Sequence, residues 1–429
     1  MANANTRQRP RSGTAPRRRQ QPNRTAPARR RKSRWKNEGG MDIMFMVLVL
    51  ILLAIGLVML FSASYSYSYY YKGSGTYFFK RQLIFAILGL ILMFAVSRFD
   101  YHKFKPTSPW ILGITYILLV VVLFAPQPEG FEEFHRWIRL GSFSFQPSEI
   151  AKFALILFLS WHVDRNYMRI NTKAPSTSRL GQMFLGPDGK SRIKARTEDL
   201  ILYLVIILSM AFLVYLENHV SGAILIVLLG IVMLYLAGFS QKGIAVFCLI
   251  IVVAALIVVA DPKILPEHAA YRITAWRNKD YQPTGQRWQT NQALYAIGSG
   301  GFFGVGLGNS KMKQLYVSEP QNDFIFSIVC EELGFLGALI IIILFALLVW
   351  RGFVIGIHAR DKFGAFMSMG MSFQIGLQVV LNILVVTDMM PNTGISLPFF
   401  SYGGTSLLML LFEMGIILAI SREAKLRKN

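Results

Sequence analysis

The chain has 429 residues, 53% of them hydrophobic and 16% charged, with a mean hydropathy of +0.43. That balance excludes an ordinary soluble domain, and apolar runs of about 20 residues recur, each long enough to cross a hydrocarbon core of roughly 30 Å. The formal charge of +22 would suit a nucleic-acid binder, but it is unevenly placed.

Residues 1–40 hold thirteen Lys and Arg against one acid, Glu38, among Pro, Gln, Ser and Thr. This composition predicts a disordered basic tail that fixes the orientation of the first membrane helix and touches anionic lipid; no nucleic acid is expected. The fold class expected is all-α: a polytopic membrane protein with ten transmembrane helices in a domain spanning 41–421. The spans are placed at about 41–62, 82–98, 108–125, 148–163, 199–216, 220–238, 243–260, 323–350, 364–387 and 400–420. With the N-terminus inside, the inner segments carry 32 basic residues and the outer ones 12. That bias predicts both termini in the cytoplasm, the C-terminal tail being 422–429. The apolar run from Met41 to Phe61 is too long for a cleavable signal. Cys248 and Cys330 both fall in spans, so neither a disulfide framework nor a metal-ligand spacing is present.

Two loops exceed simple connections. The inner one, 164–198, contains Gly186-Pro187-Asp188-Gly189, a turn signal for a small hairpin. The outer one, 261–322 between helices 7 and 8, ends in a glycine-rich stretch over 298–308. Those glycines lack both the G-x-G-x-x-G spacing and a Walker lysine, which excludes a nucleotide fold; backbone packed closely on a ligand or on helices is the reading that remains.

The polar residues inside or beside the spans carry the chemistry. Glu149 and Lys152 lie three apart on one helix face. They form either a self-neutralising pair or part of a polar cavity whose lysine reaches a phosphate. Gln374, Gln378 and Asn382 make a stripe that would serve interhelical hydrogen bonding or cavity lining. Glu413 is buried in the last span with no partner visible. Outside the membrane, Arg136 and Arg272 sit beside Trp137 and Tyr271, a combination that would hold anionic headgroups, sugars or a partner, although single residues of this kind are commonly interface anchors. Asp323 stands where a polar loop ending Glu319-Pro320-Gln321-Asn322 meets a long apolar helix. A carboxylate there either favours the positive end of the helix dipole or faces water, a partner or a substrate.

Several ordered motifs resemble one family. They are Gly56-Leu57-Val58-Met59 with Ser62-Ala63-Ser64, Arg81-Gln82, Arg136-Trp137-Ile138, and Phe145-Gln146-Pro147-Ser148-Glu149-Ile150-Ala151-Lys152. They continue through Tyr271-Arg272, Gln292-Ala293-Leu294, the glycine stretch, Asp323-Phe324-Ile325-Phe326 with Glu331-Glu332-Leu333-Gly334, and the run from Pro398 to Ser406. Over about 41–421 the chain resembles the shape, elongation, division and sporulation (SEDS) family of bacterial cell-wall polymerases, which contains FtsW, RodA and SpoVE. The spelling around 395–406 and the long basic tail look more like the FtsW/SpoVE branch than RodA. One departure stands out: where many members read Pro-Asp-Leu-Gly, this chain reads Glu217-Asn218-His219-Val220-Ser221-Gly222, so a charged site is missing or replaced by Glu217 or His219.

The resemblance implies an inverting peptidoglycan glycosyltransferase that polymerises lipid II into β-1,4 glycan at the outer face of a bacterial cytoplasmic membrane, in septal wall synthesis. Asp323 would be the catalytic base, and Lys152, Arg136 and Arg272 would bind diphosphate or sugar, with Glu149 holding Lys152. A divalent cation, Mg2+ or Mn2+, could assist, although scattered carboxylates are the only ligands visible. The implied partners are a class B penicillin-binding protein and other division membrane proteins. A lipid II flippase and a non-catalytic scaffold for a transpeptidase are the competing classes. A flippase would survive neutralisation of one base, and a scaffold would be indifferent to it.

Overall fold

The structure is a computed structural model and describes residues 40–126, 135–140, 143–170, 195–239, 241–264, 267–279 and 286–425. The expected basic tail and the hairpin at 186–189 lie outside the described residues. Among the described residues twelve α-helices follow in order: α1 (Ile43–Lys72), α2 (Tyr77–Ser97), α3 (Phe104–Leu123), α4 (Pro147–Ile170), α5 (Ala195–Leu216), α6 (Val220–Leu236), α7 (Gln241–Ala260), α8 (Glu267–Arg277), α9 (Gln286–Gly300), α10 (Ile325–Ile357), α11 (Lys362–Val386) and α12 (Gly404–Glu423).

Eight of them are long and apolar enough to cross a membrane: α1, α2, α3, α5, α7, α10, α11 and α12, with a short 3₁₀ turn extending α3. The other two expected spans fall short by composition or length. Helix α4 carries Glu149, Lys152, Asp164, Arg165 and Arg169, and α6 has only 17 residues. The first span is also longer than expected. Its Ser/Tyr-rich end reads as polar loop, yet the helix runs on to Lys72, where Gly73 adopts a left-handed conformation and donates its N–H to the Tyr69 carbonyl.

A second departure from the all-α expectation is a two-stranded antiparallel hairpin, β1 (Ile138–Leu140) and β2 (Phe143–Phe145). Apolar and polar residues alternate in both strands, the period that puts alternate side chains on opposite faces. The register pairs Arg139 with Ser144.

The helices pack around α11, α10, α4 and α12, whose inward faces supply most of the core. By contrast α7 turns Val246, Leu249, Ile250, Val253 and Leu256 outward, as expected of a helix facing lipid.

The glycine-rich stretch has a specific task. Helix α10 breaks at Gly334, with φ 67° and ψ −171°. In an unbroken helix Phe335 and Leu336 would donate to the carbonyls of Glu331 and Glu332. Here they donate instead to Gly301 and Phe302, at 2.9 and 3.1 Å, while the freed Glu331 and Glu332 carbonyls accept from Val305 and Gly306, both at 3.0 Å. Two lost helix bonds are replaced by four loop–helix bonds, which satisfies irregular backbone inside the bundle. The acidic side chains complete the joint. Glu331 accepts from the Ser310 hydroxyl and from the Lys311 amide at 2.9 Å. Glu332 accepts from Lys313 at 2.7 Å and from Ser62 at 2.7 Å. Both are buried structural carboxylates.

A Cβ at Gly334 would lie 2.2 Å from the Gly304 nitrogen, a backbone atom that cannot turn aside. Gly334→Ala should therefore cost more than the roughly 1–3 kcal/mol of this glycine-favouring backbone conformation alone. Thermal unfolding in detergent should show a clear drop in midpoint. Gly298→Ala is the control: its Cβ would meet nothing within 4 Å, and a helical alanine there should be neutral or mildly stabilising.

Candidate functional site

At the end of the bundle that carries the hairpin and α8, a cavity of about 870 Å³ opens between the helices. Several helix beginnings reach its wall: the first turns of α4, α6 and α12 contribute through Ser148, Ser221 and Gly404, and the second turn of α2 through Arg81. A helix N-terminus presents unpaired N–H groups and partial positive charge, so this convergence favours an anion. The side chains point the same way. Lys72, Arg81, Arg136, Arg139, Lys152 and Arg272 line the cavity against the acids Glu149, Glu319 and Asp323. Arg139 and its strand partner Ser144 both face it, which accounts for the hairpin's alternation.

All five expected site residues come together here: Asp323, Lys152, Glu149, Arg136 and Arg272. Lys152 pairs with Glu149 at 2.8 Å, its side chain almost wholly buried. The two residues are thus an ion pair and also line the cavity. Arg136 donates to the Asn218 carbonyl, and Arg272 to the Asn392 carbonyl at 3.4 Å.

Asp323 stands two residues before α10, partly exposed in the cavity. Its carboxylate accepts no hydrogen bond and joins no ion pair among the described residues. Its backbone, in contrast, is fixed. Asn382 of α11 donates to the Asp323 carbonyl at 2.8 Å and to the Ile395 carbonyl at 2.7 Å. Ser401 donates to the Asn322 carbonyl at 2.9 Å, and the Tyr402 amide to the Gln321 carbonyl at 2.8 Å. Gly394, with φ +69°, closes on the carboxylate so tightly that a Cβ there would sit 3.1 Å from Asp323 Oδ2. Burial pushes the Asp323 carboxyl up to about 6; Arg136 and then Arg272 pull it down, and Glu319 pushes it up. A fixed backbone carrying an unpaired carboxylate with a pKa near working pH is the arrangement expected of a general base.

The α11 stripe divides its work. Asn382 is the staple just described, and Gln378 lines the cavity. Gln374 donates to the Glu413 carboxylate at 3.1 Å, supplying the partner that could not be seen in the sequence.

Of the two replacements considered for the missing aspartate, His219 lines the cavity and Glu217 does not. Glu217 is fully buried beside Arg136, and burial pushes its carboxyl up to about 9. Lys72 and Arg81 also line the site, although neither belongs to the five residues expected there; both fall at the short connection between the first two spans, which puts them at the same end of the bundle. Trp276 and Arg287 lie outside the cavity wall and anchor its roof. Trp276 donates to the Asp388 carbonyl at 3.0 Å, and Arg287 grips the Asp388 carboxylate at 2.8 and 2.7 Å.

For a divalent cation, Asp323 and Glu319 are the cavity carboxylates not committed to a lysine. Among the described residues the only group of three candidate ligands is Asp100, His102 and Glu423, at the opposite end of the bundle.

Fold and site together define a polytopic helical membrane protein with a cation-lined acid–base cavity at one end of its bundle. Residues 42–426 match the Cell cycle protein family of FtsW, RodA and SpoVE. The probable peptidoglycan glycosyltransferase FtsW of Trichlorobacter lovleyi is 35% identical over 356 residues, covering 82% of this chain and 86% of its own. Stage V sporulation protein E of Bacillus subtilis is 36% identical over 351 residues, covering 81% and 88%. Among solved structures, a chain from a study of the structural coordination of polymerization and crosslinking by a peptidoglycan synthase complex superposes with a TM-score of 0.69 at 25% identity, covering 89% of this chain and 98% of that one. The rod shape determining protein RodA of Thermus thermophilus has the same fold, with a TM-score of 0.61 at 24% identity over 91% and 100% of the two chains. The chain belongs to the FtsW/RodA/SpoVE family, on its FtsW/SpoVE branch.

Proposed function

We propose that this chain is an inverting peptidoglycan glycosyltransferase that polymerises lipid II during septal wall synthesis. The observation that carries the reading is the single cavity joining one unpaired, fixed carboxylate to a surplus of cations. Joining sugars β-1,4 from an α-linked diphosphate inverts the reacting carbon. One base must therefore take the proton of the incoming hydroxyl while the diphosphate leaves on the opposite side. Asp323 is the base in this scheme. Arg136, Lys152 and Arg272 stabilise the charge that grows on the leaving diphosphate. A bound Mg2+ or Mn2+ would supply Lewis-acid neutralisation of the diphosphate, and with Asp323 acting as the base Glu319 is the cavity carboxylate left to hold it.

In this reading α4 and α6 complete the eight long apolar helices to ten spans, both termini lie in the cytoplasm, and the cavity opens at the outer face of the bacterial cytoplasmic membrane, where lipid II would be met. The basic bias of 32 to 12 supports that orientation. The partners are a class B penicillin-binding protein and other division membrane proteins. A membrane helix of the former would lie on α10 and α11, where Phe335, Leu339, Ile343 and Val380 are exposed.

The experiment is polymerisation of lipid II by the purified chain, with and without a transpeptidase partner, read as glycan length. Absence of product under both conditions would sink the reading. The pH profile gives a further check. Asp323 acts only when ionised, and its carboxyl is pushed up to about 6, so activity should fall as pH drops through about 6. Glu319 is one of the groups raising that value. Glu319→Gln should therefore move the acid limb to lower pH, and an unmoved limb would assign it to another group.

A further inference from the structure

His219 leads into α6 from the cavity wall, its ring buried. Gln146 Nε2 and Ser148 Oγ each lie 3.2 Å from its Nδ1. A neutral ring accepts a hydrogen bond at that nitrogen. A protonated ring donates from it to the Ser148 hydroxyl, or to Gln146 once the amide turns over. The pocket thus accommodates both states of the ring with one hydroxyl rotation and one amide turn. Gly222 makes the space: a Cβ there would come within 2.6 Å of Nδ1.

The charges facing the ring come from several elements. Arg136 approaches from the segment before β1, Lys152 from α4 with Glu149 held to it, and Arg272 from α8. Glu217 stands two residues before the ring, and Asp323 lies across the cavity. Burial, and then Arg136, Lys152 and Arg272, hold the imidazole well below its ordinary range, so the ring is neutral near pH 7. A fourth positive charge is opposed by the three already there. An anion settling among those cations removes the opposition and favours a charged ring.

We infer that His219 is a specificity-determining residue at the phosphate end of the cavity, taking up a proton as an anionic diphosphate settles among Arg136, Lys152 and Arg272. Binding and proton uptake are then one linked event, each favouring the other by the same factor. The uptake grows with the charge of the ligand, so a diphosphate gains more from it than a monophosphate does. The inference rests on reading the cavity as a diphosphate site.

The test uses the full chain carrying Asp323→Asn, so that neither turnover nor the titration of that carboxyl intervenes. Lipid II, whose diphosphate is substituted at both ends and does not titrate near neutrality, is added in detergent between about pH 5.5 and 7.5. Calorimetry in buffers of different ionisation enthalpy reads the protons taken up. The expected result is uptake approaching about one proton per site, with binding roughly tenfold or more tighter at the acid end. Glu217, pushed up to about 9, stays protonated throughout this window and contributes nothing.

Adding His219→Asn keeps a polar atom toward Gln146 and Ser148 but removes the titration. It should abolish the uptake and flatten the pH dependence to less than about twofold. Unchanged uptake in that variant overturns the inference. Should His219→Asn not fold, Gly222→Ala displaces the ring while leaving it in place in the sequence, and must itself reduce the uptake; full uptake there also overturns it. Failure of lipid II to bind the Asp323→Asn protein at all would instead remove the diphosphate reading, and this inference with it.

Discussion

Replacing Asp323 with asparagine should reduce lipid II polymerisation by roughly 10²-fold or more while leaving the protein folded. Asparagine keeps the size of the side chain and cannot accept the hydroxyl proton. The Asp323 backbone is held by Asn382 through its carbonyl, a contact the substitution does not touch. The side chain itself accepts no hydrogen bond among the described residues, so no native bond is lost. The sign of the stability change follows from the raised pKa. A folded-state carboxyl pushed up to about 6 by burial is one whose ionised form the fold disfavours. Its charge therefore costs stability once pH rises above the unfolded value, and removing it should hold or raise the melting temperature at neutral pH. A variant that is inactive and at least as stable as the parent is the expected signature of a functional group kept at some cost to the fold. Near-normal polymerisation by such a protein would remove Asp323 from the chemistry and assign the proton transfer to another group.

Position alone made Asp323 conspicuous, since a carboxylate at the mouth of an apolar helix needs a reason. What the sequence could not disclose is its isolation from hydrogen-bond partners, or the closure of Gly394 over it. Both depend on 394–402 folding back across 321–323, a contact between segments more than 70 residues apart. The glycine stretch was legible as close-packed backbone, but its partner was not: nothing local announces that α10 breaks at Gly334 and exchanges hydrogen bonds with the loop. The two helices that fall short of a span do so for different reasons: α4 carries the Glu149–Lys152 pair in its first two turns and further charges at its end, whereas α6 is uncharged but only 17 residues long, its start lining the cavity. The hairpin was missed because its strands are three residues long, below the length at which alternation stands out.

Lys152 separates two roles that the sequence left joined. Its ammonium lies 2.8 Å from Glu149 Oε1, so Lys152→Met strands a carboxylate in a largely buried place. Breaking a buried pair from one side typically costs about 3–5 kcal/mol, and the melting temperature should fall accordingly. Polymerisation should also fall, by about 10²-fold, if the ammonium stabilises the leaving diphosphate. The single variant cannot divide these losses, but the double variant Glu149→Gln/Lys152→Met can. With both charges gone, no buried ion is left without a partner, and much of the lost stability should return. Activity should not return with it, because the leaving group still lacks its cation. Measured side by side, melting temperature and polymerisation rate should therefore part company in the double variant. Should they recover together, Lys152 serves the fold alone, and the charge on the leaving diphosphate falls to Arg136 and Arg272.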